Sequence, residues 1–187
     1  GDFIFSRNGE DLEQVVAGLL ASRGKTVAAA ESCAGGLLSH RLTNVPGSSA
    51  YFREGIVAYA DEAKTDRLGV PAPLIQQYGA VSAHVARAMA DGIRRRSRAH
   101  FGLAVTGIAG PGGGTPQKPV GLVYTALSWD TGTQIEKNIF FGPREAVKFQ
   151  SSQKALDMLR RHLQLARPKP AGRVRHRSGP TRKGHRS

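Results

Sequence analysis

From Asp11 to Arg23 apolar residues recur at helical spacing. Leu12, Val15, Val16, Leu19 and Leu20 share a face, Glu10, Asp11 and Glu13 crowd the start, and Gly24 follows the end. The spacing predicts an amphipathic helix. Thr26 to Ala30 is a short apolar run without alternation, as expected of a strand covered on both faces. It leads through Glu31-Ser32-Cys33-Ala34 into a second predicted helix from Gly35 to Thr43. The turn cluster Asn44 to Ser49 separates this from a predicted strand at Tyr51–Tyr59, and Asp61-Glu62-Ala63-Lys64 opens a short helix.

Ser82 to Arg96 carries the clearest helical pattern, with Val85, Ala86, Met89, Ala90 and Ile93 on one face and Ser82 at the N-cap. Phe101 to Val105 reads as another short buried strand ending in the glycine-rich stretch Thr106–Gly114. Strands are predicted at Val120–Trp129 and Thr133–Phe141, joined by the hairpin signal Asp130-Thr131-Gly132, and a helix from Arg144 to Leu165 closes the pattern. Strands interleaved with helices predict a three-layer α/β/α sandwich, and the closing hairpin makes its sheet a mixed β-sheet.

The chain's 187 residues suit one domain, and its composition changes that picture only at the ends. The 27 Lys and Arg exceed the 14 Asp and Glu, a formal +13. Eight of those cations and no acid fall in residues 167–187, so the body before them is only mildly basic. The tail of Arg, Pro, Gly, Ser and His has almost nothing to bury and is expected to be disordered. Its predicted partner is a polyanion, bound weakly and in a salt-dependent way. Arg94, Arg95, Arg96 and Arg98 sit where cations complement a helix C-terminus, which predicts a solvated helix end rather than a nucleic-acid patch. A single cysteine excludes a disulfide framework and fits a cytoplasmic location. No apolar stretch is long enough to span a membrane and the start lacks a signal-peptide pattern.

Chemistry concentrates at two strand ends. A serine on a strand-to-helix turn has its side chain held outward, beside N–H groups able to bind an oxyanion. Ser32 has that context, and Gly35 and Gly36 leave room for a ligand to approach the backbone. On local features Ser32 reads equally as an ordinary capping serine. Cys33 is an alternative nucleophile, although a lone cysteine without a basic activator more often fills apolar space.

A serine nucleophile needs a base, and none of the six histidines stands in a loop of catalytic character. In Tyr59-Ala60-Asp61-Glu62-Ala63-Lys64 a tyrosine at a strand end and a lysine five residues later can converge on one pocket; an exposed helix lysine is the plainer reading. Ser151-Ser152-Gln153-Lys154 matches a Ser-x-x-Lys spacing but lacks its companion motifs and is read as chance. The glycines of Thr106–Gly114 could present N–H groups to a phosphate, or form a plain surface loop; they fit neither the triphosphatase phosphate loop nor the Rossmann fingerprint.

The segment Ala30-Glu31-Ser32-Cys33-Ala34-Gly35-Gly36-Leu37 resembles the C-terminal domain of the competence/damage-inducible protein A (CinA) family, the nicotinamide-nucleotide amidases. The resemblance continues in register from Asp11 to Leu165 through Asn44-Val45-Pro46-Gly47-Ser48-Ser49, Val57-Ala58-Tyr59, Glu62-Ala63-Lys64, Tyr78-Gly79-Ala80-Val81-Ser82, Thr106-Gly107-Ile108-Ala109-Gly110-Pro111-Gly112-Gly113-Gly114 and Lys118-Pro119-Val120-Gly121. It implies hydrolysis of nicotinamide mononucleotide to nicotinate mononucleotide and ammonia, in a homo-oligomer, without cofactor or metal. The family's catalytic Ser, Tyr and Lys fall on Ser32, Tyr59 and Lys64.

Ala34, Gly35, Gly36, Thr106, Gly107, Gly112, Gly113 and Arg144 are the expected substrate-binding residues. N–H groups near Ser32 and Gly35 are expected to hold the oxyanion, and the glycine-rich loop the phosphate. The chain departs from the family pattern at Ala34 (usually Thr), Gln117 (commonly Glu) and Pro143 (commonly Asp). Residues 1–10 resemble the linker to the N-terminal molybdopterin-binding-like domain of longer members. A non-catalytic module tied to competence or DNA repair, and a serine amidase of another substrate, are the competing expectations.

Overall fold

The computed structural model describes residues 9–165. The predicted linker falls almost entirely, and the basic tail entirely, outside these described residues. Helix α1 (Leu12–Ala21) starts at Asp11 in a reciprocal capping box with Gln14 and leads into β1 (Val27–Glu31). Helix α2 (Leu37–Thr43) and a 3-10 turn (Ser48–Ala50) precede β2 (Phe52–Val57). Helices α3 (Asp61–Leu68), α4 (Ala72–Tyr78) and α5 (Ala83–Ser97) follow, then β3 (Phe101–Gly107), β4 (Leu122–Trp129), β5 (Gly132–Ile139) and α6 (Arg144–Leu165).

The five strands form one sheet in the order β2-β1-β3-β4-β5. β1 pairs in parallel with β2 and β3, and β4 runs antiparallel to β3 and to β5 across the Trp129–Gly132 hairpin. The expected three-layer α/β/α sandwich with a mixed sheet is therefore the observed architecture. Two parallel connections place the C-terminal ends of β1, β2 and β3 side by side, the usual position of ligands in such sheets.

Strand alternation divides the core between two faces. Val27, Ala29, Leu103, Val105, Val123 and Leu127 meet α1, α2 and α6 on one side, and the small residues Ala28, Ala30, Ala104 and Ala126 meet α3, α4 and α5 on the other. That second face is small because α5 lies close to it. A Cβ on Gly102 would stand 2.2 Å from the Ala90 carbonyl oxygen, and one on Gly92 only 1.9 Å from that of Leu68. Gly92→Ala is therefore expected to push α5 off the end of α3 and cost about 2–3 kcal/mol, lowering the midpoint of thermal unfolding by roughly 5–10 °C; an unchanged midpoint would contradict this packing.

One helix escaped the sequence pattern. α4 follows Pro71 and buries only Ile75, so no apolar stripe announces it. The Ser-x-x-Lys spacing at Ser151–Lys154 has a structural role: Ser151 and Ser152 are fully buried and bond back to Val147 and Phe149 carbonyls, while Lys154 pairs with Glu136.

Candidate active site

A cleft of about 250 Å³ opens at the C-terminal ends of β1 and β3. Its walls include Ser32, Tyr59, Lys64, Thr106, Gly112 and Arg144, and also Cys33, Asp61, Gly107 and Gly113. Residues separated by more than a hundred positions thus share one space.

The turn that carries Ser32 is held from both sides. The Ser32 N–H donates to the Val105 carbonyl at 2.9 Å, tying it to β3, and the Ser32 carbonyl accepts from the Gly35 N–H at 3.1 Å. Gly35 and Gly36 have φ of 61° and 94°, which a side chain would strain, so these glycines shape the turn. They do not line the cleft: Gly35 faces Lys148, and Gly36 faces Val57. Ala34 is likewise outside it, with its methyl fully buried in the core. The N–H groups of Ser32 and Gly35 are both engaged, so neither is available to an oxyanion in this geometry. Those of Cys33 and Ala34 donate to no oxygen among the described residues.

Glu31 carries the helix start. Its fully buried carboxylate accepts from the N–H groups of Gly36 (2.9 Å), Leu38 (3.1 Å) and Ser39 (2.8 Å) and from the Ser39 hydroxyl (2.7 Å). Three N-terminal donors of α2 and the positive end of its dipole are thereby satisfied from within the protein. Sequence reasoning passed over Glu31; the available signal was a charged residue closing an otherwise apolar strand just before a Gly-Gly helix start.

Lys64 is 1 % exposed although it sits on α3. Its ammonium donates to the carbonyls of Tyr59 (2.8 Å) and Ala60 (3.4 Å) and to Asp61 Oδ1 (3.2 Å). Three donors therefore meet three acceptors, and no hydrogen bond joins Lys64 to Ser32 among the described residues. Asp61, also missed by the sequence reading, is the solvent-facing partner. Tyr59 is 61 % exposed, and its phenol oxygen accepts from Arg144 at 3.1 Å. The same guanidinium donates to the Gly110 carbonyl at 2.8 Å and so ties the strand-end tyrosine to the glycine-rich loop.

Thr106 lies fully buried with its hydroxyl donating to the Ala80 carbonyl at 2.9 Å. Beyond it the N–H groups of Ala109, Gly110, Gly112, Gly113 and Gly114 donate to no oxygen among the described residues. Cys33, in contrast, is 5 % exposed, and burial pushes its thiol up to about 12, leaving no thiolate at neutral pH. Of the two adjacent candidates, the cysteine is thus held as a buried thiol while the serine lines the cleft. No group of three or more His, Cys, Asp and Glu side chains suited to a metal occurs among the described residues, and no described helix is long and apolar enough to cross a membrane.

The family model for the CinA C-terminal domain matches residues 9–163. A CinA-like protein from Acidobacterium capsulatum is 54% identical over 162 residues, covering 87% of this chain and 39% of the relative. Another from Geotalea daltonii is 51% identical over 168 residues, covering 90% and 40%. The chain thus spans about two fifths of the length of these relatives. Among solved structures, competence/damage inducible protein CihA from Agrobacterium tumefaciens superposes with a TM-score of 0.78 at 40% identity, covering 83% of this chain and 96% of that one. The competence damage-inducible protein A from Klebsiella pneumoniae gives 0.81 at 33% identity, with 83% and 97% covered.

Proposed function

Since the chain belongs to the family of the CinA C-terminal domain, we propose that it is an amidase hydrolysing nicotinamide mononucleotide to nicotinate mononucleotide and ammonia. The observation that carries the reading is the convergence of Ser32, Tyr59 and Lys64 on one cleft whose opposite wall is a loop with undonated N–H groups.

Ser32 Oγ adds to the carboxamide carbon and gives its proton to the Lys64–Tyr59 pair. The C–N bond then breaks, ammonia leaves with a returned proton, and an ester remains on Ser32. Water adds to that ester by the same relay, and the C–O bond breaks to free the carboxylate and the serine. The oxyanion hole is left to the turn that carries Ser32, where the N–H groups of Ser32 and Gly35, first expected in that role, are already engaged at rest and have to be released by substrate. The Gly112 and Gly113 N–H groups, with Arg144, take the phosphate.

The resting hydrogen bonds add a condition to this route. To accept a proton, Lys64 must be uncharged and turn a lone pair toward Ser32, giving up one of its three acceptors. Asp61 is the acceptor that water can serve instead, because its carboxylate is 55% exposed. Lys64→Met keeps the buried volume and removes the proton carrier, and is expected to lower kcat about 10³-fold with little change in KM. A variant retaining more than a tenth of wild-type kcat would remove Lys64 from the relay.

Substrate choice is tested by comparing nicotinamide mononucleotide with its riboside and with free nicotinamide. Loss of the phosphate is expected to raise KM or abolish turnover, because the glycine-rich loop and Arg144 would face nothing. Equal turnover of all three would reassign the cleft to another amide.

A further inference from the structure

A second cleft, of about 290 Å³, lies at the opposite end of the sheet, where β1 and β3 begin and β4 ends. Lys25, Arg94, Arg98, His100, Trp129 and His162 line it. Four residue steps along β3, from Phe101 in its lining to Val105 beside Ser32, put about 13 Å of strand between the two, and the two clefts share no lining residue.

The arginine run expected to be a solvated helix end is divided by the fold. Arg96 pairs with Glu54, whereas Arg94 and Arg98 turn into the cleft. Arg94 is held by a chain of hydrogen bonds: its Nε donates to Ser128 at 3.0 Å, and the buried Ser128 hydroxyl donates to Asp91. Asp91 also accepts from Thr133 at 2.9 Å. The two terminal nitrogens of the Arg94 fork make no bond among the described residues, which leaves a pre-oriented pair of donors, the arrangement that recognises phosphate oxygens.

His100 Nδ1 accepts from the Thr26 N–H at 3.2 Å, which leaves Nε2 as the ring's donor. Arg98 adds an independent sign. It closes α5 at φ 52°, a left-handed position where glycine would be the unstrained choice, yet the sequence places a cation there. The last α5 carbonyls are already served by the N–H groups of Arg98 and Ala99, so these side chains are not needed to cap the helix. Asp130 is the one acid on the lining, against Lys25, Arg94 and Arg98.

We propose that this cleft binds the phosphate group of a small phosphorylated metabolite. Arg94 supplies the fork, Lys25 and Arg98 the balancing charge, and Trp129 with His162 an aromatic wall, their ring centroids 4.4 Å apart.

The test is a residue-resolved NMR titration of the full chain at constant ionic strength, with inorganic phosphate in one arm and adenosine monophosphate in the other. Saturable shifts are expected at the Trp129 indole and the Ala99 and His100 amides. The double variant Lys25→Ala/Arg98→Gly, which removes two charges and relieves the left-handed strain, should weaken binding about tenfold while the Gly112 and Gly113 amides respond as before. Tighter binding of the nucleotide than of phosphate supports the site with the aromatic wall engaged, and equal binding supports it with the phosphate alone recognised. Shifts that never saturate, or that persist unchanged in the double variant, overturn it.

Discussion

Ser32→Ala is expected to reduce amide hydrolysis about 10⁴-fold, while Cys33→Ala next to it leaves kcat within a few-fold of wild type. The contrast rests on local structure. Ser32 lines the cleft with its backbone pinned to Val105, whereas the Cys33 thiol is buried among apolar residues and pushed up to about 12. The Ser32 hydroxyl makes no hydrogen bond among the described residues, so its loss removes the nucleophile without orphaning a partner. Thermal unfolding should therefore be unchanged in Ser32→Ala. Activity that survives Ser32→Ala but disappears in Cys33→Ala would exchange the two roles.

Glu31→Gln carries the largest expected effect on stability near the site. An amide in place of the carboxylate turns an NH2 group toward two donors, either those of Gly36 and Leu38 or those of Ser39. In the first orientation the Gly36 and Leu38 N–H groups lose their acceptor; in the second the Ser39 hydroxyl can turn to accept from the amide and only the Ser39 N–H loses one. In both the α2 dipole loses its counter-charge, at a cost of about 2 kcal/mol. Because the turn from Ser32 to Gly36 hangs between Glu31 and α2, kcat should fall at temperatures where the variant is still folded, with KM less affected. Glu31 acts here as a positioning residue through Ser32. A destabilised Glu31→Gln with unchanged kcat would leave it a purely structural cap.

The architecture was readable because its elements advertise themselves. α5 shows a clean apolar face and a serine cap that accepts from Val85, and β1 is apolar up to its closing Glu31 and β3 up to Val105. α4 was not readable, since its one buried residue gives no periodicity. The spacing of Tyr59 and Lys64 allowed a shared pocket beside the plainer reading of an exposed lysine, and the structure lines one cleft with both. What no spacing could convey was the set of acceptors around the Lys64 ammonium, or the bond from Arg144 to the Tyr59 phenol across 85 residues.

Gly35 and Gly36 were expected to leave room for a ligand at the backbone beside Ser32, and Ala34 joined them through the resemblance. Space divides them differently: the positive φ values turn the chain away from the cleft, so these residues build the turn and the core. Ala34, where the resemblance led one to expect threonine, points its side chain into packing rather than toward the cleft. The arginine cluster shows the same limit of a one-dimensional reading. Its members separate in space, with Arg96 on an exposed ion pair and Arg94 on a buried hydroxyl.

The most direct test of the central claim is to incubate the wild-type chain with nicotinamide mononucleotide, without added metal, and quantify ammonia and nicotinate mononucleotide together. The account predicts that both appear in equal amounts. A correctly folded wild-type chain that releases neither would contradict it.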